Sequence, residues 1–231
     1  MNDDARNTAQ DQIGRVATGQ PFPAEEYWDR ACRELSDRDE ILRDVIATYR
    51  DERLQGSGDP FRTLLNAITG QQISVTAAER IWSRLLEMLP GLTPGYVLQS
   101  GPEDLRAVGL SRRKTEYIRG IAEAFEAGTV DPDTWSDMDD GEIRDQLISL
   151  RGVGPWTAEM MLIFHLQRPD ILPVGDLGLV NGASRLFGWE GDLDLKQRIE
   201  LLRERAERWK PWRTVATWYI WRDLDAEPVV Y

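Results

Sequence analysis

Leu147-Ile148-Ser149-Leu150-Arg151-Gly152-Val153-Gly154-Pro155-Trp156-Thr157-Ala158 decides how this chain is read. Two glycines one residue apart, followed by proline, do not sit inside a helix. Glycine supplies turn conformations closed to other residues, and proline is best placed in the first turn of a new helix. Ile143, Leu147 and Ile148 before the turn recur at helical spacing, as do Ala158, Met161, Leu162 and Leu166 after it. The stretch therefore reads as helix, tight glycine hairpin, helix. About twenty residues on, Pro173-Val174-Gly175-Asp176-Leu177-Gly178 puts an acid at the start of another helix. A hairpin with exposed backbone N–H groups, followed by one placed carboxylate, points to an enzyme that grips phosphate and works through a carboxylate.

Outward from this stretch the pattern stays helical. Tyr27, Trp28, Ala31 and Leu35 form one apolar stripe. Ser36-Asp37-Arg38-Asp39 resembles a capping box that opens a second helix through Ile41, Leu42, Val45 and Ile46. Asp59-Pro60 starts a helix from Phe61 to about Thr69. After Gly70-Gln71-Gln72-Ile73, Ser74 caps a longer helix carrying Ala78, Ile81, Trp82, Leu85 and Leu89. Long alternating β-branched runs are absent, so the fold class is all-α. Residues 1–22 are polar and without period, and read as a flexible leader.

At 231 residues and 41% hydrophobic content the chain has enough core for one large domain or two small ones. No apolar run approaches bilayer length and the N-terminus is polar and acidic, so neither a membrane span nor a signal peptide is expected. Cys32 is the only cysteine, which excludes an intrachain disulfide and a four-cysteine iron–sulfur cluster and makes a cytoplasmic setting the default. His165 is the only histidine, and its apolar neighbours mark it as a packed residue rather than a ligand. The net charge of -12 and pI near 4.7 argue against a generic nucleic-acid binder. Yet 25 of the 28 basic residues are arginine, and they cluster, as in Ser111-Arg112-Arg113-Lys114. A local basic surface on an acidic protein is compatible with this.

Leu105-Arg106-Ala107-Val108-Gly109 echoes Leu150-Arg151-Gly152-Val153-Gly154, and both precede a helix. Ala107 stands where the second copy has Gly152, so the first copy is not expected to make the same turn. The helix after it offers Ser111, Lys114 and its N-terminal N–H groups to a phosphate; the alternative is an ordinary capped helix with a solvated basic turn.

Gly70-Gln71-Gln72-Ile73-Ser74, the hairpin with Trp156 and Thr157, Asp176, Lys210-Pro211-Trp212-Arg213 and Trp221-Arg222 together resemble the helix-hairpin-helix DNA glycosylase superfamily. Within it they resemble most the alkylated-base branch, 3-methyladenine DNA glycosylase II, in its compact form without an N-terminal α/β domain. The resemblance spans about Pro60 to Arg222. It implies two helical subdomains flanking a DNA-binding cleft, about 60–170 and 23–59 plus 171–231, with Asp176 at their junction. It also implies that Gly152, Val153, Gly154 and Thr157 hold a DNA phosphate, with Val153 at the hairpin tip. The backbone carbonyls of Ile148, Leu150 and Val153 would hold a Na+ or K+ ion, and no other cofactor is implied.

On the same resemblance Asp176 is the catalytic carboxylate, which stabilises oxocarbenium character as a C1′–N bond breaks. Read without it, Asp176 is a helix N-cap. Trp156, Trp221 and Met160 are implied to line the pocket for a flipped base, whose cationic ring suits aromatic faces. Trp156 stands where bifunctional relatives carry a nucleophilic lysine, so no lyase step is expected. Gln71 or Gln72 would fill the gap left by the flipped nucleotide. Trp212 and Arg213 are expected to pack and position the final helix. The expectation is a monomeric, monofunctional glycosylase acting on damaged double-stranded DNA, associated with the nucleoid. Its rivals are a non-catalytic helix-hairpin-helix DNA-binding protein and a glycosylase of wider or oxidised-base range.

Overall fold

In the computed structural model, which describes residues 24–224, all regular structure is helical. The 1–22 leader lies outside the described residues. The chain separates into two compact units, Ser57–Met161 and a second made of residues 24–56 and 162–224.

The first unit holds α3 (Pro60–Gly70), α4 (Val75–Met88), α5 (Pro94–Gln99), α6 (Pro102–Ala107), α7 (Arg112–Glu126), a 3-10 turn (Pro132–Asp137), α8 (Asp140–Ile148) and α9 (Pro155–Met160). α3 is its centre, packing on α4, α7 and α9, while α5 and α6 pack on α7 and α8 on α9. The apolar stripes seen in the sequence meet here: Leu64, Leu65, Ile68, Leu85, Ile118 and Leu147 have almost no exposed surface. Each such side chain contributes about 1.5–3 kcal/mol relative to exposure. Local polar groups fix the ends. Asp59 caps α3 through Arg62 N, Ser74 caps α4 through Ala77 N, and Asp139 and Glu142 close a capping box on α8.

The second unit holds α1 (Ala24–Arg38), α2 (Glu40–Thr48), α10 (Leu177–Leu186), α11 (Leu195–Ala206), a 3-10 turn (Glu207–Trp209) and α12 (Arg213–Leu224). α12 is its axis: Thr214 through Trp221 are all buried, because α1, α2 and α10 pack around it. Trp28 meets Trp218 edge-on at 5.4 Å and donates its indole N–H to the Tyr219 hydroxyl at 3.3 Å. A π-helical turn, Met161–His165, carries the chain from α9 toward residues 166–176.

Four expectations change. The cap of α2 is Asp39, not Ser36: Asp39 accepts from Ile41 N and Leu42 N, while the Ser36 hydroxyl bonds back to Cys32 O and lets α1 run on to Arg38. The second division of the chain falls at 161/162 rather than 170/171. Residues 164–171 are tied into the second unit: Tyr27 donates to Gln167 O, Thr214 Oγ1 donates to Arg168 O, and Ile171 N donates to Thr214 Oγ1. The first division falls at 56/57 rather than 59/60, before the Asp59 cap. Finally, the echo is structural but in another register. Gly109 at φ +110 takes the place of Gly152 at φ +95, each two residues before a helix cap, so Ala107 needs no unusual conformation.

Candidate active site

The hairpin between α8 and α9 is built as the glycines require. Leu150 N donates to Leu147 O and Val153 N to Leu150 O, so the chain turns within four residues. Gly152 lies at φ +95, and a Cβ there would stand 2.3 Å from Tyr117 Cδ2. Both facts demand glycine. The Tyr117 ring, on α7, is flanked by the Arg113 and Arg151 guanidiniums, each 5.7 Å from its centroid. Gly154 is the N-cap of α9, Pro155 follows it, and no side chain caps the helix. Val153 is 5% exposed, so it anchors the hairpin from below instead of forming its tip. The exposed hairpin side chain is Arg151.

Beside the hairpin lies the α3–α4 turn. Gln71 Nε2 donates to Gly152 O at 3.1 Å and to Thr157 Oγ1 at 3.0 Å, and Thr157 is buried. Gln71 is thus spent inside the protein. Gln72 is exposed, with φ +57 in the left-handed region. Lys114 does not lie free at the start of α7. Its ammonium donates to Thr69 O and to Gln71 O, each at 2.8 Å, and burial pushes its pKa below the ordinary lysine range. Ser111 Oγ accepts from Lys114 N and caps α7. The expected phosphate pair is therefore a cap and a turn-holding cation; the sequence signal was misleading because both carbonyls lie over forty residues earlier.

On α9, Trp156 is half-buried and Met160 wholly buried. Met160 therefore has no surface to offer a base and is removed from the pocket wall. Its neighbours Ala158 and Met161 are equally enclosed, on the face α9 turns inward.

In the second unit, Pro173 O accepts from Asp176 N in a tight turn that delivers Asp176 to the start of α10. Asp176 Oδ1 accepts from Leu179 N at 2.6 Å and from the Trp221 indole N–H at 3.0 Å. Trp221, 7% exposed, lies parallel to Phe164 at 5.9 Å. It acts on the carboxylate by its edge, not chiefly as an open stacking face. A Cβ on Gly178 would come within 3.0 Å of Asp176 Oδ1, which explains the second glycine of Gly-Asp-Leu-Gly.

The segment leading to Asp176 is fixed by Arg213, whose Nε and Nη2 reach Asp170 Oδ1 and Oδ2 at 2.7 and 2.9 Å. Arg213 thus ties that segment to α12, and Trp212 Nε1 donates to Glu34 Oε2, as expected of positioning residues. Phe164, Tyr117 and Gly178 were missed in the sequence. Only Gly178 left a local mark there, as half of a glycine pair around the acid. Among the described residues no cluster of His, Cys, Asp and Glu is placed to hold a metal ion.

A family model described as HhH-GPD superfamily base excision DNA repair protein matches residues 65–211, more than half of the chain, and the chain belongs to that superfamily. It is 30% identical over 182 residues to DNA-3-methyladenine glycosylase 1 of Schizosaccharomyces pombe, covering 77% of this chain and 78% of that one. The solved structure of a Schizosaccharomyces pombe 3-methyladenine DNA glycosylase in complex with abasic DNA is similar at a TM-score of 0.74 and 30% identity, covering 84% of this chain and 95% of that one. A DNA-3-methyladenine glycosidase from Bacillus halodurans is similar at a TM-score of 0.67 and 32% identity, over 80% of this chain and 89% of that one.

Proposed function

We propose that this chain is a monofunctional DNA glycosylase of base excision repair. It flips alkylated purines such as 3-methyladenine from duplex DNA and hydrolyses the N-glycosidic bond to leave an abasic site. The observation that carries this is the Asp176 carboxylate, fixed by a helix N-terminus and the Trp221 indole inside a chain of the HhH-GPD superfamily. An alkylated purine is already cationic and departs with the C1′–N electron pair as a neutral base. The sugar develops oxocarbenium character, which the Asp176 anion stabilises. Water then adds to C1′ and gives up a proton to the carboxylate or to solvent.

The N–H donors of Asp176 hold its charge in one place, so little reorganisation is needed at the moment of reaction. The half-exposed Trp156 is the stacking surface for the cationic base. With tryptophan there in place of lysine, no Schiff base forms. The hairpin around Gly152 and Gly154 docks a phosphate without reading sequence, and Gln72, the exposed member of its pair, fills the gap left by the base.

The carbonyls of Ile148, Leu150 and Val153 are hard, neutral oxygen donors that suit an alkali cation. Leu150 O keeps a lone pair after accepting Val153 N–H, and Ile148 is the last residue of α8, where carbonyls lack helical donors. A Na+ or K+ ion there would supply positive charge beside the phosphate. The enzyme works as a monomer in the cytoplasm, on nucleoid DNA.

The test is product analysis on methylated duplex DNA. Free methylpurine appears while the strand stays uncut until alkali is added. Strand cleavage, or a borohydride-trapped protein–DNA adduct, contradicts the monofunctional mechanism, and absence of any released base contradicts the function.

A further inference from the structure

Lys114 and Gln71 together join three parts of the first unit that are distant in sequence. Lys114 lies in the first turn of α7, and its ammonium holds the last carbonyls around the α3–α4 turn, Thr69 O and Gln71 O. From that same turn the Gln71 side chain crosses to the hairpin, to Gly152 O and Thr157 Oγ1. The next residue, Gln72, is exposed and sits in a backbone region that costs a residue with a side chain free energy. A strained conformation persists only where its surroundings over-determine it. Here the two contacts immediately before Gln72 do so, one through its neighbour's carbonyl and one through its neighbour's side chain. The arrangement is also electrostatically favourable, because a cation at the C-terminal end of α3 meets carbonyls with no helical donor.

From this geometry we infer that Lys114 and Gln71 are positioning residues that lock Gln72 in its projecting conformation and couple it to the hairpin. Docking of the hairpin on a DNA backbone then fixes where Gln72 enters the duplex. The inference rests on the proposed role of Gln72 in filling the gap beside a flipped base. It assigns Lys114 no phosphate, since a phosphate would have to displace carbonyls already at 2.8 Å.

The experiment measures equilibrium binding of the full chain to an abasic-site duplex and to an intact duplex, over a range of salt concentrations. The proteins are wild type, Lys114→Met, Gln71→Glu, Gln72→Ala, and Lys114→Met and Gln71→Glu each combined with Gln72→Ala. Lys114→Met is expected to lower the preference for the abasic duplex about fivefold to tenfold and to leave the slope of log affinity against log salt unchanged. A lost phosphate contact would instead flatten that slope by about 0.9. Gln71→Glu keeps the ammonium and removes the N–H donors that reach the hairpin, so it provides the same test if Lys114→Met fails to fold.

In the Gln72→Ala background neither substitution is expected to lower the preference further. A flattened salt slope in Lys114→Met, or losses that multiply with that of Gln72→Ala, overturns the inference. Binding needs no chemistry, so failure of base release in the wild type speaks against the enzyme and not against this coupling.

Discussion

Asp176 serves as a helix cap and, in the proposed mechanism, as the reaction's carboxylate, and its Oδ1 accepts from both Leu179 N and the Trp221 indole N–H. The two readings of this residue left open by the sequence do not compete: in the proposed mechanism the cap supplies the rigidity that the chemistry would use. Trp221 sets the other half of that rigidity. Trp221→Phe keeps an aromatic ring against Phe164 and removes the indole N–H together with the five-membered ring that carries it. A hydrogen bond to a charged group is worth about 1.5–3 kcal/mol, so the single-turnover rate of base release should fall about tenfold or more. The melting temperature should move by only a few degrees, and an unchanged rate would show that the indole N–H is idle. The place of Asp176 at the start of a helix was legible because its flanking glycines lie in one short stretch. The partner 45 residues away was not, since one sequence gives no sign of which edge of a tryptophan meets an acid.

The helix-hairpin-helix was the most legible element, because its cause is local. Gly152 shows how strictly: its left-handed backbone and the Tyr117 ring against it both exclude a side chain. Gly152→Ala should destabilise the protein by about 2–4 kcal/mol, from backbone strain plus overpacking. Urea unfolding should show this as a lower midpoint at unchanged slope, and a midpoint equal to wild type would mean that the hairpin is not the rigid turn described. Where elements meet others far along the chain, sequence patterns misled. Ser36 looked like a cap, but Asp39 three residues on takes that role with a second set of partners. Ser111-Arg112-Arg113-Lys114 looked like a phosphate site, although the lysine is committed to carbonyls of the α3–α4 turn. The echo of the two hairpins was visible as letters, and its true register only as backbone angles.

Across the whole chain, the all-α class followed from helical periodicity alone, but the polar ties within the units did not. Asp39 is the clearest of them. Its carboxylate accepts from Ile41 N, Leu42 N, Arg205 and the Trp209 indole, with no exposed side-chain surface. Burial pushes its pKa up, but the hydrogen bonds from Arg205 and Trp209 and the Arg205 charge outweigh this and hold it below the ordinary aspartate range. A depressed carboxyl pKa contributes stability above the unfolded value, near 4, and loses it as pH falls through the folded value. Asp39→Ala should therefore cost about 3 kcal/mol at neutral pH, with a gap to wild type that narrows in acid. Thermal melts across pH 3 to 7, about the range in which aspartate titrates, check this; a gap that is constant or widens in acid contradicts it. The net charge of -12 works at the same scale: on the proposed function it repels the DNA backbone, and affinity for undamaged duplex is expected to be weak.

The most direct test of the account is the single-turnover rate of base release from methylated duplex DNA by wild type and by Asp176→Asn. Asparagine keeps the size and the cap oxygen and removes the charge. The account predicts a fall on the order of 10²–10³-fold, by analogy with removing one electrostatic stabiliser of a transition state, with DNA binding retained. Equal rates in the two proteins would contradict the role given to Asp176.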